Sequence, residues 1–352
     1  MNIKKNWLSA LGILFIAAAG ISIFAFITDD VESETTAERF RERFNEKYGV
    51  FALSLPNELD FAGEEVPFED PEILERFDRE LLSNTYFQSQ GLLYFKRANR
   101  YFPAIEKILK EEKVPDDFKY LALIESGFTN VVSPAGAAGF WQFMPVTARQ
   151  YGLEVNDYVD ERYHFEKATY AACKYLKDAH KRFDSWTLAA AAFNAGNGRI
   201  EKSMESQRVN NYFDLLLNNE TSRYVFRLLA VKEIMSHPRS YGFHFRKSDL
   251  YTPIPTYNKV VTQTIPDLAL FAEENGITYK ILKYHNPWLR SDRLPVTGNN
   301  SYIIALPKKG YHRIMTGMSS LYPELDEDEN NQDIENDSLS ESVPPNVNEI
   351  IE

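Results

Sequence analysis

The clearest helical pattern along the chain lies between residues 115 and 127. Apolar side chains recur there at the spacing of one helical face, and the same face carries a carboxylic acid; the positions are Phe118, Leu121, Ala122 and Glu125. Pro115 suits the first turn of a helix, and Gly127 suits a left-handed stop at its end. The pattern therefore predicts that Glu125 lies in the last helical turn, on the buried side.

This predicted position has a chemical consequence for Glu125. Burial and the negative end of the helix dipole both disfavour the ionised carboxylate, so we expect a raised pKa. A carboxyl group that keeps its proton near neutral pH can act as a general acid. A single Glu in an apolar stripe is nevertheless more often ion-paired or partly exposed than catalytic. The residues that follow favour the catalytic interpretation.

A loop of small residues, Ser133 to Gly139, follows the predicted helix. Small residues allow a backbone to approach a ligand closely. The loop leads into three aromatic residues and an amide, namely Phe140, Trp141, Gln142 and Phe143. Aromatic faces combined with an amide suit a sugar, which has an apolar ring face and a polar rim. The pattern therefore predicts a glycan-binding cleft beside Glu125.

The same periodicity predicts further helices on both sides of this segment. They are expected to begin at Asp70-Pro71, and to cover Leu92–Phe95, Ile105–Leu109, Thr147–Tyr151, Ala168–Phe183, Trp186–Phe193 and Glu220–Met235. The Trp186–Phe193 run is apolar on every side, which indicates a buried central helix. Asp157 to Arg162 is predicted to form a polar turn, either at the surface or as a helix cap. Residues 29–69 are predicted to be a linker, irregular from Leu55 to Pro67.

The pattern changes after Pro253 and Pro255. It predicts a strand, two helices and a strand, over Val260–Thr264, Pro266–Glu274, Tyr279–Tyr284 and Tyr302–Leu306. The predicted fold class is therefore mainly α, with a helical domain at residues 70–250 and a small α+β module at residues 251–310.

The N-terminal segment, residues 1–28, has the features of a membrane anchor. The stretch from Trp7 to Ile27 is uncharged, and its 21 residues would span about 31 Å as a helix, enough for a bilayer core. Lysines precede it and acidic residues follow it, which predicts a cytoplasmic N-terminus. An uncleaved anchor is favoured over a cleaved signal peptide, since no small-residue cleavage site is evident.

The formal net charge of −12 is unevenly distributed. Residues 319–352 contain eleven acidic residues and no Lys or Arg, and subtracting these eleven charges leaves −1 on residues 1–318. This composition predicts a disordered acidic tail. No basic stripe indicates nucleic-acid binding. The single cysteine, Cys173, excludes a disulfide framework and a thiolate metal cluster, and no cofactor is expected.

Four motifs follow one another along the chain. They are Glu125-Ser126-Gly127, Gly139-Phe140-Trp141-Gln142-Phe143-Met144-Pro145, Ala192-Phe193-Asn194-Ala195-Gly196, and Glu220-Thr221 with Tyr224-Val225. Their order and spacing resemble those of lytic murein transglycosylases, most of all the membrane-bound D group. The resemblance covers roughly residues 70 to 235. It implies a goose-lysozyme-like catalytic domain. Ser222 departs from the pattern, because relatives commonly carry a basic residue there and Arg223 comes one place later.

The resemblance also implies roles for individual residues. Glu125 would be the catalytic acid, and the hydroxyl of Tyr224 would reach its carboxyl group. Asn194 would project into the cleft, although an amide before a glycine can also simply cap a helix. The residues implied to hold the glycan or line its cleft are Ser126, Trp141, Gln142, Phe143, Asn194 and Tyr224.

The C-terminal module resembles a LysM module. Gly276-Ile277 lies between its two predicted helices, and Asn286-Pro287-Trp288-Leu289 follows them. LysM modules bind N-acetylglucosamine glycans. The opening of this module lacks the usual Gly-Asp/Glu-Thr turn.

The implied activity is lytic transglycosylation of peptidoglycan, with 1,6-anhydromuramic acid ends as products. The implied partners are peptidoglycan strands and the inner membrane, which places the chain in the periplasm or cell envelope. Glycosidases generally use two carboxylates, and only Glu125 stands out within the motifs. Two alternatives remain open: a goose-type lysozyme-like hydrolase, and a non-catalytic peptidoglycan-binding protein.

Overall fold

A computed structural model describes residues 39, 41, 49–298 and 300–310. All helices and strands given below lie within residues 55–310. Among the described residues, no helix is both long enough and apolar enough to cross a membrane. The predicted N-terminal anchor (residues 1–28) and acidic tail (residues 319–352) lie outside the described residues.

The structure is mainly helical, as predicted. The helical part contains α1 (Pro71–Tyr86), α2 (Gln88–Glu112), α3 (Phe118–Ser126), α4 (Pro145–Gln150), α5 (Phe165–Phe183), α6 (Trp186–Ala195), α7 (Asn197–Gln207) and α8 (Asn219–Ser236). Short 3-10 helices cover Glu161–Tyr163, Pro238–Tyr241 and Lys247–Asp249. Helix α6 packs against α5, α7 and α8, and its residues from Thr187 to Ala192 are buried. It is therefore the central helix expected from its apolar sequence.

The helix ends follow the capping signals. The Asp70 carboxylate accepts a hydrogen bond from the Glu72 N–H (2.9 Å), and Pro71 occupies the first helical position of α1. Gly127 ends α3 with φ 56°, in the left-handed region. Helix α3 begins at Phe118, later than expected, because Pro115 to Asp117 form a preceding turn with i to i+3 hydrogen bonds.

Two separate helices were expected, at Leu92–Phe95 and at Ile105–Leu109. The structure has the single helix α2 there, so the prediction of two helices was wrong. Pro103 lies inside α2 on its exposed side. Proline removes one N–H donor, which leaves the carbonyl four residues earlier without its helical partner. On an exposed face, water can bind that carbonyl, and the helix continues.

Part of the expected linker belongs to the helical core. Strands β1 (Asp60–Phe61) and β2 (Glu64–Glu65) form an antiparallel hairpin through Ala62 and Gly63, both at positive φ. The Phe61 side chain is fully buried, with its ring centroid 5.1 Å from that of Phe118. The prediction of an irregular linker is therefore wrong for this hairpin. The sequence pattern of two-residue strands is too short to detect.

The C-terminal module has the predicted order of elements: β3 (Thr256–Val261), α9 (Leu268–Glu274), α10 (Tyr279–His285) and β4 (Tyr302–Pro307). The two strands pair antiparallel, with Thr256 opposite Pro307 and Val261 opposite Tyr302. The apolar core of the module is continuous with Ala138, Val159 and Tyr163 of the helical part.

Candidate active site

Glu125 lies in the last turn of α3, as predicted, and its side chain is partly buried. Burial raises the pKa of Glu125 from an ordinary value of 4.5 to about 7, and desolvation is the largest cause. This direction agrees with the expectation from the sequence. A group with this pKa exists in both protonation states near neutral pH, so it can donate a proton and later accept one.

The nearest partner of Glu125 is the side chain of Tyr224. The Tyr224 hydroxyl donates a hydrogen bond to Glu125 Oε1. Tyr224 is buried in α8, and burial together with the Glu125 charge raises the pKa of this phenol well above its usual range. The hydroxyl therefore remains a donor, and its hydrogen bond favours the ionised form of Glu125.

Two charged side chains of α8 shift the pKa of Glu125 in opposite directions. Arg227 lowers the pKa of Glu125, and Glu220 raises it. Arg223 instead donates from Nε to Glu80 Oε1 at 2.6 Å. Arg227 was not identified from the sequence. It lies three residues after Tyr224, and this spacing places two side chains on the same face of a helix.

Ser126 fastens the end of α3 to the loop formed by residues 136–143. Its hydroxyl donates to the Phe140 carbonyl at 2.9 Å and accepts from the Phe128 N–H at 3.1 Å. Gln142 stabilises the same loop, since its Nε2 donates to the carbonyls of Gly139 (2.7 Å) and Val131 (3.1 Å). Both side chains therefore shape the protein around Glu125 through their own backbone contacts.

Asn194 joins two motifs that are separate in the sequence. It lies at the end of α6, where its Oδ1 accepts from the Thr221 hydroxyl at 2.9 Å and its Nδ2 donates to Glu220 Oε1 at 3.3 Å. Glu220 also acts electrostatically on Glu125. The fold thus gathers α3, the end of α6 and the first turns of α8 around one carboxyl group.

Two segments of the chain match models of known protein families. Residues 102–215 match the family model of the transglycosylase SLT domain. The chain carries a transglycosylase SLT domain. Residues 257–310 match the model of the soluble lytic transglycosylase C-terminal LysM-like domain, and correspond to the module of β3, β4 and the two helices between them.

The chain is a distant homologue of the membrane-bound lytic murein transglycosylase D of Escherichia coli (strain K12). The two are 28% identical over 269 residues, which cover 74% of this chain and 58% of the relative. A tributyltin chloride resistance protein of Alteromonas sp. (strain M-1) is 31% identical over 112 residues, covering 31% of this chain and 54% of that protein. The chain therefore spans less than two thirds of the length of these curated relatives.

A solved structure also matches, that of an inactive mutant of the lytic transglycosylase Slt from Pseudomonas aeruginosa. The match covers 43% of this chain and 26% of that chain, at 19% identity and with a TM-score of 0.31.

Two aromatic residues of the SLT domain lie elsewhere than the sequence suggested. Trp141 was expected to line the cleft, but it is fully buried and its Nε1 donates to the Thr169 hydroxyl at 2.9 Å. Phe143 is also buried, 5.6 Å between ring centroids from Phe193. These two rings support the site from within the core. Burial of an apolar ring in a well-packed core stabilises the fold more than exposure of that ring to water.

The turn from Asp157 to Arg162 was predicted to be a surface turn or a helix cap, and at Asp160 it is a cap. The Asp160 carboxylate accepts from the Arg162 N–H at 3.1 Å, at the start of the 3-10 helix Glu161–Tyr163. Asp160, Glu161 and Arg162 of the SLT domain are all buried. Arg162 binds Asp160 through two nitrogen atoms, Nε to Oδ1 at 2.9 Å and Nη2 to Oδ2 at 2.7 Å. A buried ion pair of this kind replaces the solvation that a surface turn would have provided. Arg162 also binds the carbonyls of Gly136 and Phe143, which lie 26 and 19 residues away in the sequence, and periodicity does not show such contacts.

Proposed function

We propose that this chain is a lytic transglycosylase that cleaves the β-1,4 bond between N-acetylmuramic acid and N-acetylglucosamine in peptidoglycan. The observation that carries the proposal is the pairing of Glu125, with its pKa raised to about 7, with the Tyr224 hydroxyl. The match to an SLT domain and the distant homology to a lytic murein transglycosylase support it. The products would carry 1,6-anhydromuramic acid ends.

In the first step, protonated Glu125 donates its proton to the glycosidic oxygen that leaves from the muramic acid residue. The bond between that oxygen and C1 breaks, and an oxocarbenium-like centre forms at C1. The substrate's own N-acetyl group would stabilise this centre. The carboxylate that remains is stabilised by the Tyr224 hydroxyl and by the positive charge of Arg227, both of which favour its ionised form.

In the second step, the Glu125 carboxylate takes the proton from the 6-hydroxyl of the same sugar. The 6-oxygen then bonds to C1 and closes the anhydro ring, so Glu125 regains the proton it gave away. Attack within one ring has a high effective concentration and requires no positioned water. One carboxyl group therefore suffices for the whole cycle, provided that its pKa lies near the working pH.

We propose Ser126, Gln142 and Asn194 as the residues that shape the glycan site. Ser126 and Gln142 hold the 136–143 loop through backbone contacts, and Asn194 connects α6 to Glu220 and Thr221. Tyr224 acts on the carboxyl group of Glu125. Trp141 and Phe143 form the packed support beneath.

A hydrolase of the goose-lysozyme type is the second candidate, and Glu220 is the observation that favours it. This second carboxylate lies close enough to Glu125 to raise its pKa, and its side chain is exposed and bound by Asn194. In an inverting hydrolase such a group would act as a base toward water.

Mass spectrometry of the muropeptides released from purified peptidoglycan tests the proposal. A transglycosylase yields products one water lighter than those of a hydrolase. Products heavier by one water would overturn the proposed reaction. Release that continues in the Glu125→Gln variant would overturn the assignment of the acid, and binding without any release in the parent would indicate an adhesive protein.

The location of the chain is also proposed. An N-terminal anchor at residues 1–28, followed by the helical domain at 70–250 and the module at 251–310, would hold the enzyme at the inner membrane, facing the peptidoglycan of the periplasm. The Escherichia coli relative is named as a membrane-bound transglycosylase. Fractionation of cells, with the protein extracted by detergent but not by salt, would support this placement.

A further inference from the structure

The LysM-like module is joined to the SLT domain by backbone pairing. Val159 and Leu289 form an antiparallel bridge. The Asp160 N–H donates to the Trp288 carbonyl at 2.9 Å, and the Arg290 N–H donates to the Tyr158 carbonyl at 2.8 Å. Contacts of this type fix the register of the two segments as well as their distance.

Side chains reinforce this pairing on both sides. The Tyr302 hydroxyl donates to Glu154 Oε2 at 3.0 Å, and the Arg290 guanidinium lies 4.4 Å from the centre of the Tyr163 ring. Val159 is almost fully buried in an apolar cluster composed mainly of module residues. The module therefore packs on residues 154–163 as one continuous core.

The same segment of the SLT domain holds the 136–143 loop. Asp160 is fixed by the module through its backbone and binds Arg162 through its carboxylate. Arg162 then donates from Nη1 to the carbonyls of Gly136 (2.8 Å) and Phe143 (3.1 Å). Both charged side chains are about nine-tenths buried, so water competes little for these bonds.

The loop in turn contacts the residue beside Glu125. The Phe140 carbonyl of the loop accepts the hydrogen bond from Ser126. At Gly139 the loop lies directly on the backbone of Arg162, since a Cβ there would come within 1.9 Å of the Arg162 carbonyl oxygen. A continuous series of short contacts thus leads from the module to the end of α3.

We propose that the LysM-like module is a brace for the catalytic site, and that Arg162 is the positioning residue through which it acts. Docking of the module fixes residues 158–160, and Asp160 with Arg162 then holds the 136–143 loop against Ser126. This inference rests on the proposed function, because its readout is glycan cleavage. Loss of docking lowers the turnover of bound glycan, since misplacement of about 1 Å can cost on the order of 100-fold in rate.

The test uses the full chain and soluble glycan oligomers of defined length. Val159→Asp places a charge in the joint core, and Tyr302→Phe with Arg290→Ala weakens the joint more gently. We expect kcat to fall roughly 10-fold or more for the first variant, and less for the second, with KM changing little. The matched control is Tyr257→Phe with Lys280→Ala, at exposed module positions outside the joint, which should keep parental values.

A disulfide provides the rescue experiment. Val159 and Leu289 form a non-hydrogen-bonded pair, whose Cα atoms are typically about 4.5 Å apart, within the range that a disulfide spans. Val159→Cys with Leu289→Cys, added to the Tyr302→Phe and Arg290→Ala pair, should restore kcat when oxidised and lose it again on reduction. Arg162→Lys keeps the charge but loses the two loop contacts, so its fall in kcat should persist with the oxidised disulfide.

The outcomes separate the brace from the proposed function. Parental kcat in both docking variants overturns the brace. A change confined to KM also overturns it, because it would indicate that the module binds glycan and does not position the catalytic site. If Val159→Asp does not fold, the milder pair with and without the disulfide decides the question. Turnover that survives Glu125→Gln overturns the proposed function itself, whatever the docking variants do.

Discussion

The Tyr224 hydroxyl donates to Glu125 Oε1 across 99 residues of sequence, from α8 to the last turn of α3. Burial alone would favour only the protonated acid, while this hydrogen bond favours the carboxylate. The two effects together place the pKa of Glu125 near neutral pH, where both forms that the proposed cycle needs are accessible.

Removal of that hydroxyl should shift the pH profile. Tyr224→Phe removes a hydrogen bond that stabilises the carboxylate, so the pKa of Glu125 rises. The basic limb of the kcat/KM profile therefore moves to higher pH, by roughly one pH unit. The measurement is the pH dependence of glycan cleavage. Tyr212→Phe is the matched control, because Tyr212 also has a buried hydroxyl but donates it to the Thr221 and Ser222 carbonyls. An unmoved limb in Tyr224→Phe would contradict the assignment.

The raised pKa of Glu125 also affects stability. The folded chain holds this proton more tightly than the unfolded chain, so the stabilisation is fully present below pH 4.5 and is lost as the pH rises to about 7. The glutamine side chain of the Glu125→Gln variant cannot ionise, so this variant should not lose stability through this group as the pH rises. Urea unfolding at about pH 4 and pH 8 should show the variant gaining roughly 2 kcal/mol on the parent at the higher pH, after discounting for partial exposure. A gain independent of pH would contradict the shift.

Glu220 distinguishes the two proposed reactions. Glu220→Gln removes a negative charge that raises the pKa of Glu125, so the basic limb of the pH profile should move slightly downward. A transglycosylase should keep its anhydro products in this variant, whereas a hydrolase that uses Glu220 as base should lose turnover. Muropeptide mass spectrometry and a pH–rate curve measure both effects. Glu201→Gln, another partly exposed acid, serves as the control.

The hairpin at residues 60–65 should stabilise the central helix. The Glu64 carboxylate accepts from the Ser185 hydroxyl (2.8 Å), the Thr187 N–H (3.0 Å) and the Thr187 hydroxyl (2.5 Å) at the start of α6. Glu64→Ala leaves these donors without the carboxylate and should lower the free energy of unfolding by about 1–3 kcal/mol. Denaturant unfolding measures the loss. The exposed neighbour Glu65, changed to Ala, should leave stability at the parental value.

Gly139 should tolerate no side chain. Gly139→Ala would place a Cβ 1.9 Å from the Arg162 carbonyl oxygen, so the 136–143 loop must move and cleavage should fall. Gly136→Ala is a matched control, because Gly136 also has positive φ (90°) but nothing lies within 4 Å of an added Cβ. Equal loss of activity in both variants would point to backbone strain instead of the close contact.

The sequence predicted the features that depend on neighbouring residues. The apolar stripe of α3, the glycine stop at Gly127 and the cap of α1 at Asp70 were all confirmed. The order of strands and helices in the module was confirmed as well. Periodicity and capping depend on hydrogen bonds and packing within a few residues, so they are legible along the chain.

The surroundings of each side chain were predicted less well. Trp141 and the Asp160–Arg162 pair were expected at surfaces and are buried, and the Glu64 cap lies in a stretch expected to be a linker. Each depends on partners more than 20 residues away, such as Thr169 for Trp141 and Gly136 for Arg162. The residues next to an aromatic or charged side chain do not indicate which distant atoms will be its packing or hydrogen-bond partners.

The amino-acid sequence by itself determined that Glu125 lies in the last turn of a helix, on its apolar face, because that outcome follows from local spacing and a glycine. The family resemblance also implied that the Tyr224 hydroxyl reaches the carboxyl group. Only the tertiary structure decided that Arg227 and Glu220 act on it as well, because α8 packs beside α3 and the pKa of a carboxyl group is set by the burial and charges that such packing creates.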